Sequence, residues 1–251
     1  MADLFRLREW RTGLYRLRER LPVPCLLCRT RAPGGLCADC KLAIQGLRSP
    51  ASSRCPRCSV ALGAFESCPD CPTLSPALER VVAAFDYAWP GELLIQQLKL
   101  QGRYGCAPVL ACLLAEHCQG LEFALRPGPD VWVVAVPASR RALRLRGYNP
   151  AAELGRALAH RLGLAWRPDL ITRMREGERQ TGRSRRLRRH GVEGLYRCTV
   201  PVAGRRVLLV DDVMTTGSTL DAIARELHQR GAVQVVGAVA ARTPATRAAS
   251  R

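Results

Sequence analysis

Two carboxylates stand side by side, Asp211 and Asp212, at the end of the apolar run Val207-Leu208-Leu209-Val210. The run predicts a buried strand. After Val213 and Met214 comes a loop of small hydroxylated residues, Thr215-Thr216-Gly217-Ser218-Thr219, and then Leu220, Ile223, Ala224 and Leu227 at helical spacing. A loop between the carboxyl end of a strand and the start of a helix is where open α/β sheets hold ligands. Backbone N–H groups of Thr215 to Thr219, with the hydroxyls beside them, suit a monoester phosphate. Asp211 and Asp212 cannot take that phosphate, because like charges repel. They suit the hydroxyls of an attached sugar, or the water shell of Mg²⁺. An ordinary buried strand and a helix capped by Ser218 or Thr219 explains the hydroxyls but not the paired aspartates. A Walker loop is excluded, since no Gly-x-x-x-x-Gly-Lys-Ser/Thr occurs.

Val207 to Thr219 resembles the phosphoribosyl-pyrophosphate signature of type I phosphoribosyltransferases: four apolar residues, two acids, then a threonine- and glycine-rich loop.

A second chemistry lies upstream. Cys25/Cys28, Cys37/Cys40, Cys55/Cys58 and Cys68/Cys71 are four Cys-x-x-Cys pairs, each able to place two thiolates on one metal from a tight turn. The gaps between paired knuckles are 8 residues in the first half and 9 in the second, so the halves read as an internal repeat. Two tetrahedral Zn²⁺ sites are expected, grouped by halves or interleaved. Such a segment is poor in core residues, and zinc would supply the missing stability. A thioredoxin-like protein would use one such pair, not four in sequence. A metal-dependent redox protein would need thiols that stay reactive once zinc is loaded. Cys106, Cys112, Cys118 and Cys198 stand among apolar neighbours and read as small buried residues.

Three further stretches carry cationic chemistry. Pro137-Ala138-Ser139-Arg140 closes a predicted strand and opens a basic run through Arg141, Arg144 and Arg146 to Gly147-Tyr148-Asn149. An arginine-rich turn there suits a diphosphate. Residues 173–189, containing Gln180-Thr181-Gly182-Arg183-Ser184, read either as a flap over a phosphate-rich ligand or as a solvated loop. Lys99 and Arg103, in Leu98-Lys99-Leu100-Gln101-Gly102-Arg103, either face the same pocket or lie neutrally on the surface.

The elements that must position these groups alternate from Pro76 onward. Strands are expected at 81–87, 131–136, 170–172, 207–210 and 233–240, with helices at 93–100, 109–116 and 151–162. That alternation predicts an α/β fold with a parallel sheet covered on both faces. Residues 1–24 place Leu7, Trp10, Leu14, Leu17 and Leu21 at helical spacing among arginines, a helix expected to pack its apolar stripe on the protein. The expected organisation is an amphipathic helix over 1–24, a double zinc ribbon over 25–75, the α/β domain over 76–242 and a frayed tail over 243–251.

The 251 residues carry 39 Lys and Arg against 21 acids, a net charge of +18, and nearly all the excess is arginine. This favours phosphate-bearing partners, though an arginine-rich proteome would give the same balance. No run is apolar enough to span a membrane, and the start lacks a signal-peptide core. With twelve cysteines and no export signal, a cytoplasmic location is expected.

Taken together, the Cys-x-x-Cys pairs, Leu-Lys-Leu-Gln-Gly-Arg, Pro137 with Arg-Gly-Tyr-Asn, Gln-Thr-Gly-Arg-Ser and Asp-Asp-Val-Met-Thr-Thr-Gly-Ser-Thr resemble the ComF/GntX family from about Cys25 to Arg242. One departure is Pro150, where the family usually has glutamine. The resemblance implies a double zinc ribbon and a phosphoribosyltransferase-like domain. It implies 5-phosphoribosyl 1-diphosphate with Mg²⁺ as ligand, its phosphate on Thr215 to Thr219, its ribose hydroxyls on Asp211 and Asp212 as the catalytic pair, and its diphosphate on Pro137 to Arg140. It also implies a link to uptake of single-stranded DNA in natural transformation, with a competence helicase as partner. No residue is an obvious general base. Whether the chain is a transferase or a non-catalytic module for DNA or a partner protein stays open at this level.

Overall fold

The computed structural model describes residues 21–118, 121, 128–174 and 194–245. Strands β1 (Pro22–Pro24) and β2 (Arg31–Pro33) pair antiparallel and lead to helix α1 (Ala38–Gly46). Then follow β3 (Arg80–Asp86), α2 (Gly91–Leu100), α3 (Cys106–Cys118), β4 (Val131–Ala135), α4 (Arg140–Arg146) and α5 (Pro150–Leu162). The chain continues through β5 (Ala165–Trp166), β6 (Ile171–Arg173), β7 (Tyr196–Cys198), β8 (Arg206–Met214), α6 (Ser218–Gln229) and β9 (Gln234–Arg242). The expected helix over 1–24 lies outside the described residues except for its last four, three of which form β1. The Gln-Thr-Gly-Arg-Ser stretch and the tail from residue 246 also lie outside them.

Five strands form one parallel sheet in the order β3-β9-β8-β4-β5. β4 feeds β5 on one side, while β8 feeds β9 on the other. The connections therefore diverge between β4 and β8, which makes this the topological switch point where a crevice opens beyond the strand ends. Val136 N–H donates to Val210 O at 2.9 Å, so Pro137 leaves the sheet beside Asp211.

Alternation along β8 sorts the core into two layers. Leu208 and Val210 pack with α2, α3 and α5, whereas Val207 and Leu209 pack with α6 and the β6–β7 hairpin. Each such fully buried side chain is worth about 1.5–3 kcal/mol. The two cysteine ribbons straddle the β3 edge. Ile44, Leu26, Leu27 and Leu36 of the first half join the α3 layer, and Val60, Leu74 and Leu78, with Cys55 and Cys58, join the α6 layer. Between them, Val81 N–H donates to Arg57 O at 2.6 Å and Ser59 Oγ to Val81 O at 2.7 Å. The ribbons thus cover the outer edge of β3, where unpaired backbone groups would otherwise invite association.

Three expectations change. The strand expected at 170–172 is not in the parallel sheet: β6 pairs antiparallel with β7, and Ala165–Trp166 supplies the sheet edge instead. A short apolar run cannot reveal its partner. β8 does not stop at the aspartates but runs through both to Met214, because β9 pairs with it that far. The basic run after Pro137 is a helix rather than a turn, started by the Ser139 hydroxyl accepting from Ala142 N and ended by Gly147 in the left-handed conformation.

Candidate functional site

Asp211, Val213 and Met214 to Leu220 line a cavity of about 40 Å³ at the carboxyl end of β8. At one probe sphere of about 10–15 Å³ per water, this holds a few water-sized groups, the bulk of a small tetrahedral anion. Helix α6 opens on this cavity with Gly217 at its N-cap, φ +79°; the cap residue has no side chain to bond the first turn, and Ser218 N–H reaches Thr216 Oγ1 only at 3.5 Å. Its leading N–H groups and its dipole therefore face the cavity. Thr216 and Ser218 share a hydroxyl hydrogen bond at 3.0 Å, which holds the loop closed around the same space. Gly217 is buried, and a Cβ there would meet Met214 Cε at 2.3 Å and Leu74 Cδ2 at 3.0 Å. A side chain there would have to displace the flexible end of Met214 and would sit at a backbone angle that favours glycine.

The pleat directs Asp211 and Asp212 from opposite faces of β8. Asp212 is buried and pairs with Lys99 at the end of α2, Nζ to Oδ1 2.9 Å. Asp211 Oδ1 folds back to accept from Asp212 N–H at 2.8 Å. Desolvation first, and the Asp212 charge second, push the Asp211 carboxyl up to about 8. The pair can thus accept from a sugar hydroxyl or from hydrated Mg²⁺, and a cation would relieve the mutual repulsion.

Pro137, Ala138 and Ser139 lie half-buried at the β4 side of the switch point, and Arg140 is exposed. No residue of α4 is buried. Arg103 lies on a different bond: its Nη1 donates to Gln97 Oε1 at 3.1 Å, and Gln97 Nε2 reaches Leu26 O, within the first cysteine turn, at 3.1 Å. The Arg-Gly-Tyr-Asn motif works inside the fold. Gly147 closes α4, Tyr148 donates its hydroxyl to Leu98 O beside Lys99, and Asn149 caps α5 while donating to Val136 O at 2.9 Å. Pro150 occupies the first position of α5, where a missing N–H costs nothing.

Sequence reasoning missed two residues at this site. Tyr196 of β7 is buried and bonds the Thr219 side chain, and burial raises its phenol. Arg242, the last residue of β9, is fully buried. It donates to Met214 O at 3.2 Å and Thr215 O at 2.5 Å behind the loop, to Cys58 O at 3.2 Å, and to the Asp70 carboxylate. A charged residue closing an otherwise apolar strand was visible, but its partners were not.

The eight cysteines form two clusters by halves: Cys25, Cys28, Cys37 and Cys40, and Cys55, Cys58, Cys68 and Cys71. Within each, the sulfurs all lie within 4.8 Å of one another. Pairs such as Cys28–Cys37 at 3.5 Å and Cys58–Cys68 at 3.4 Å compare with roughly 3.8 Å expected for Zn–S bonds of about 2.3 Å in a tetrahedron. The turns repeat bond for bond: Arg29 N to Cys25 O and Ser59 N to Cys55 O, both 3.0 Å, with Arg29 and Ser59 both at positive φ. Thr30 lowers the Cys28 thiol to about 6. Burial and crowding by neighbouring thiols raise Cys40 and Cys71. Four thiolates this close need a cation, and the sulfur-only donor sets fit structural zinc. Cys106, Cys118 and Cys198 are buried away from both clusters.

A family model described as a phosphoribosyl transferase domain matches residues 152–251. DNA utilization protein YhgH of Salmonella typhi is 36% identical over 220 residues, which cover 86% of this chain and 95% of that one. Competence protein F of Haemophilus influenzae is 29% identical over 218 residues, 84% of this chain and 93% of that one. The solved allosteric regulatory enzyme of purine biosynthesis shares 24% identity over 53% of this chain and 26% of its own, with a TM-score of 0.33, too loose to bear on the site. Fold and clusters define a phosphoribosyltransferase-like domain joined to two four-cysteine ribbons. The chain belongs to the ComF/GntX family.

Proposed function

We propose that the β4–β8 switch point binds 5-phosphoribosyl 1-diphosphate with Mg²⁺. The observation that carries this is the small cavity at the glycine-capped start of α6, bordered by the Asp211–Asp212 pair. The 5-phosphate would lie on the Thr215–Thr219 loop, with Thr216, Gly217 and Ser218 around it. Asp211 and Asp212 would accept from the ribose hydroxyls or from Mg²⁺-bound water, with Lys99 setting the charge of the pair. Pro137, Ala138, Ser139 and Arg140 border the diphosphate side. Mg²⁺ supplies charge neutralisation for a departing diphosphate. In such a transfer, the carbon–oxygen bond to diphosphate breaks as an acceptor attacks the same carbon, and nearby carboxylates stabilise the cationic sugar.

The biological setting we infer is DNA utilisation, with single-stranded DNA and a helicase as partners. It rests on the names of the two relatives and on the exposed arginines of α4. The same exposed helix favours a second reading, a binding module without turnover. Among the described residues, no helix is long and apolar enough to cross a membrane. Calorimetry with the ribosyl diphosphate and Mg²⁺, followed by a screen of bases and nucleotides for diphosphate release, tests both. Binding with release supports a transferase, binding without release the module, and no binding removes the pocket assignment.

A further inference from the structure

The second cysteine ribbon does not merely stand near the loop. It reaches the loop at three points. The Arg242 guanidinium joins Asp70, which sits between Cys68 and Cys71, and the Cys58 carbonyl to the carbonyls of Met214 and Thr215. Leu74, three residues after Cys71, lies against the bare Cα of Gly217. Ser75 gives its N–H, at 2.7 Å, and its hydroxyl, at 2.6 Å, to Asp221 in the first turn of α6. The knuckle residue Arg57 ties the same strap down, donating to Leu74 O at 3.4 Å and to Ser75 O. The first ribbon makes a different set of contacts, to α3 through Lys41 and Gln45 on Glu116, and to α2 through Gln97.

A peptide group is planar, with its C=O and N–H pointing in opposite directions. The Thr215 carbonyl drawn back onto Arg242 therefore turns the Thr216 N–H the other way, towards the cavity, and the Met214 carbonyl, shared by Arg242 at 3.2 Å and Thr243 N–H at 3.0 Å, turns the Thr215 N–H likewise. The guanidinium is fully buried, and its fork is oriented by the Asp70 carboxylate, itself 3% exposed. Asp70 is in turn held by the turn that closes on Cys68 and Cys71, where Cys71 N–H donates to Cys68 Sγ at 3.4 Å.

We propose that Arg242 is a positioning residue through which the second cysteine ribbon sets the loop's anion-binding conformation, so that metal retention there and anion affinity at the loop are coupled. The chemistry of the ligand rests on the function proposed above; the coupling rests on the Arg242 and Asp70 contacts alone. Coupling between two sites is reciprocal. Whatever factor zinc contributes to ligand affinity, ligand must contribute to zinc retention.

The test uses the full zinc-loaded chain and a chromogenic zinc chelator, with and without 5-phosphoribosyl 1-diphosphate and Mg²⁺. In wild type, ligand should protect one of the two zinc ions by about tenfold, inside the usual range of roughly 5–150-fold for coupled sites, and leave the other unchanged. Asp70→Asn and Arg242→Lys, each still carrying two zinc ions, should lose the protection and bind ligand about tenfold more weakly. Glu116→Gln, which touches only the first ribbon's contact, should keep both. Equal release of both ions from wild type that calorimetry shows to be liganded would overturn the proposal. If wild type binds no ribosyl diphosphate, the function reading fails, and amide hydrogen exchange reads the coupling instead. Thr243 N–H donates to Met214 O at 3.0 Å and Asp221 N–H to Gly217 O at 2.9 Å. Exchange of these two amides at least tenfold faster in Asp70→Asn, with β9 unchanged, supports it, and unchanged exchange at both overturns it.

Discussion

Lys99 Nζ lies 2.9 Å from Asp212 Oδ1, joining the end of α2 to the centre of the sheet. Lys41 and Lys99 are the chain's two lysines among 39 cationic residues. An ammonium is a compact point charge that can leave one carboxylate for a metal or ligand more readily than a guanidinium fork can. This bond neutralises the Asp212 carboxylate beside Asp211. Lys99→Met should lower stability by about 1.5–3 kcal/mol, the worth of a charge-assisted bond. For a chain of this size that is a fall of roughly 3–12 °C in melting temperature. Millimolar Mg²⁺ should restore part of it. Scanning calorimetry with and without Mg²⁺ decides, and an unchanged melting temperature would show the pair to be idle.

Asp211 gives the site a pH signature. In the fold its carboxyl keeps its proton to about pH 8, against 3.8 for an ordinary aspartate, owing to desolvation and the Asp212 charge. Between those values the folded state binds more protons than the unfolded. The contribution of this group to stability is therefore full below about pH 4 and falls as pH rises through 8. Asp211→Asn escapes that loss. Its melting temperature relative to wild type should climb between pH 5 and pH 9, and a constant difference would contradict the shift.

Asp212→Asn keeps shape and removes charge. Affinity for the ribosyl diphosphate with Mg²⁺ should fall about ten- to hundredfold, from the loss of about 1.5–3 kcal/mol. Titration calorimetry measures it directly, and wild-type affinity would place the ligand elsewhere.

Gly217→Ala fails from behind rather than from the ligand side. The new methyl would lie 2.3 Å from Met214 Cε on a residue at φ +79°, a backbone costing about 1–2 kcal/mol for any side chain. Stability should drop together with ligand affinity. Shortening the obstructing side chain in Gly217→Ala/Met214→Ala should recover part of the melting temperature. No recovery would mean that the strain, not the clash, dominates.

Zinc removal should reach further than the ribbons. Ile44 belongs to the α3 layer and Leu74 and Leu78 to the α6 layer, so the ribbons share both cores with the sheet. A ribbon that stabilised mainly itself would leave the sheet folded on chelation. This packing instead predicts a single cooperative loss, with elemental analysis giving two zinc ions per chain beforehand. Two separate melting transitions after chelation would count against the shared core.

Much of the site was legible in the sequence because its signals are contiguous. The apolar run into Asp211 and Asp212, the hydroxyl loop after it and the Cys-x-x-Cys spacing each act within one turn or one strand, where neighbouring residues alone set the geometry. The repeat of the cysteine halves was equally local, and the clusters do form by halves. Tertiary structure decided everything that depends on distant segments meeting. Only the strand order puts the β4 and β8 loops at one switch point, and only pairing with β9 carries β8 through both acids to Met214. β6 left the parallel sheet because β7, reached through a long intervening stretch, offered the antiparallel partner. Arg103 found Gln97 as a partner, and Arg242 and Asp70, 172 residues apart, met behind the loop. A buried charge is tolerated only where its partners are, and no local pattern in the chain names a partner so far away.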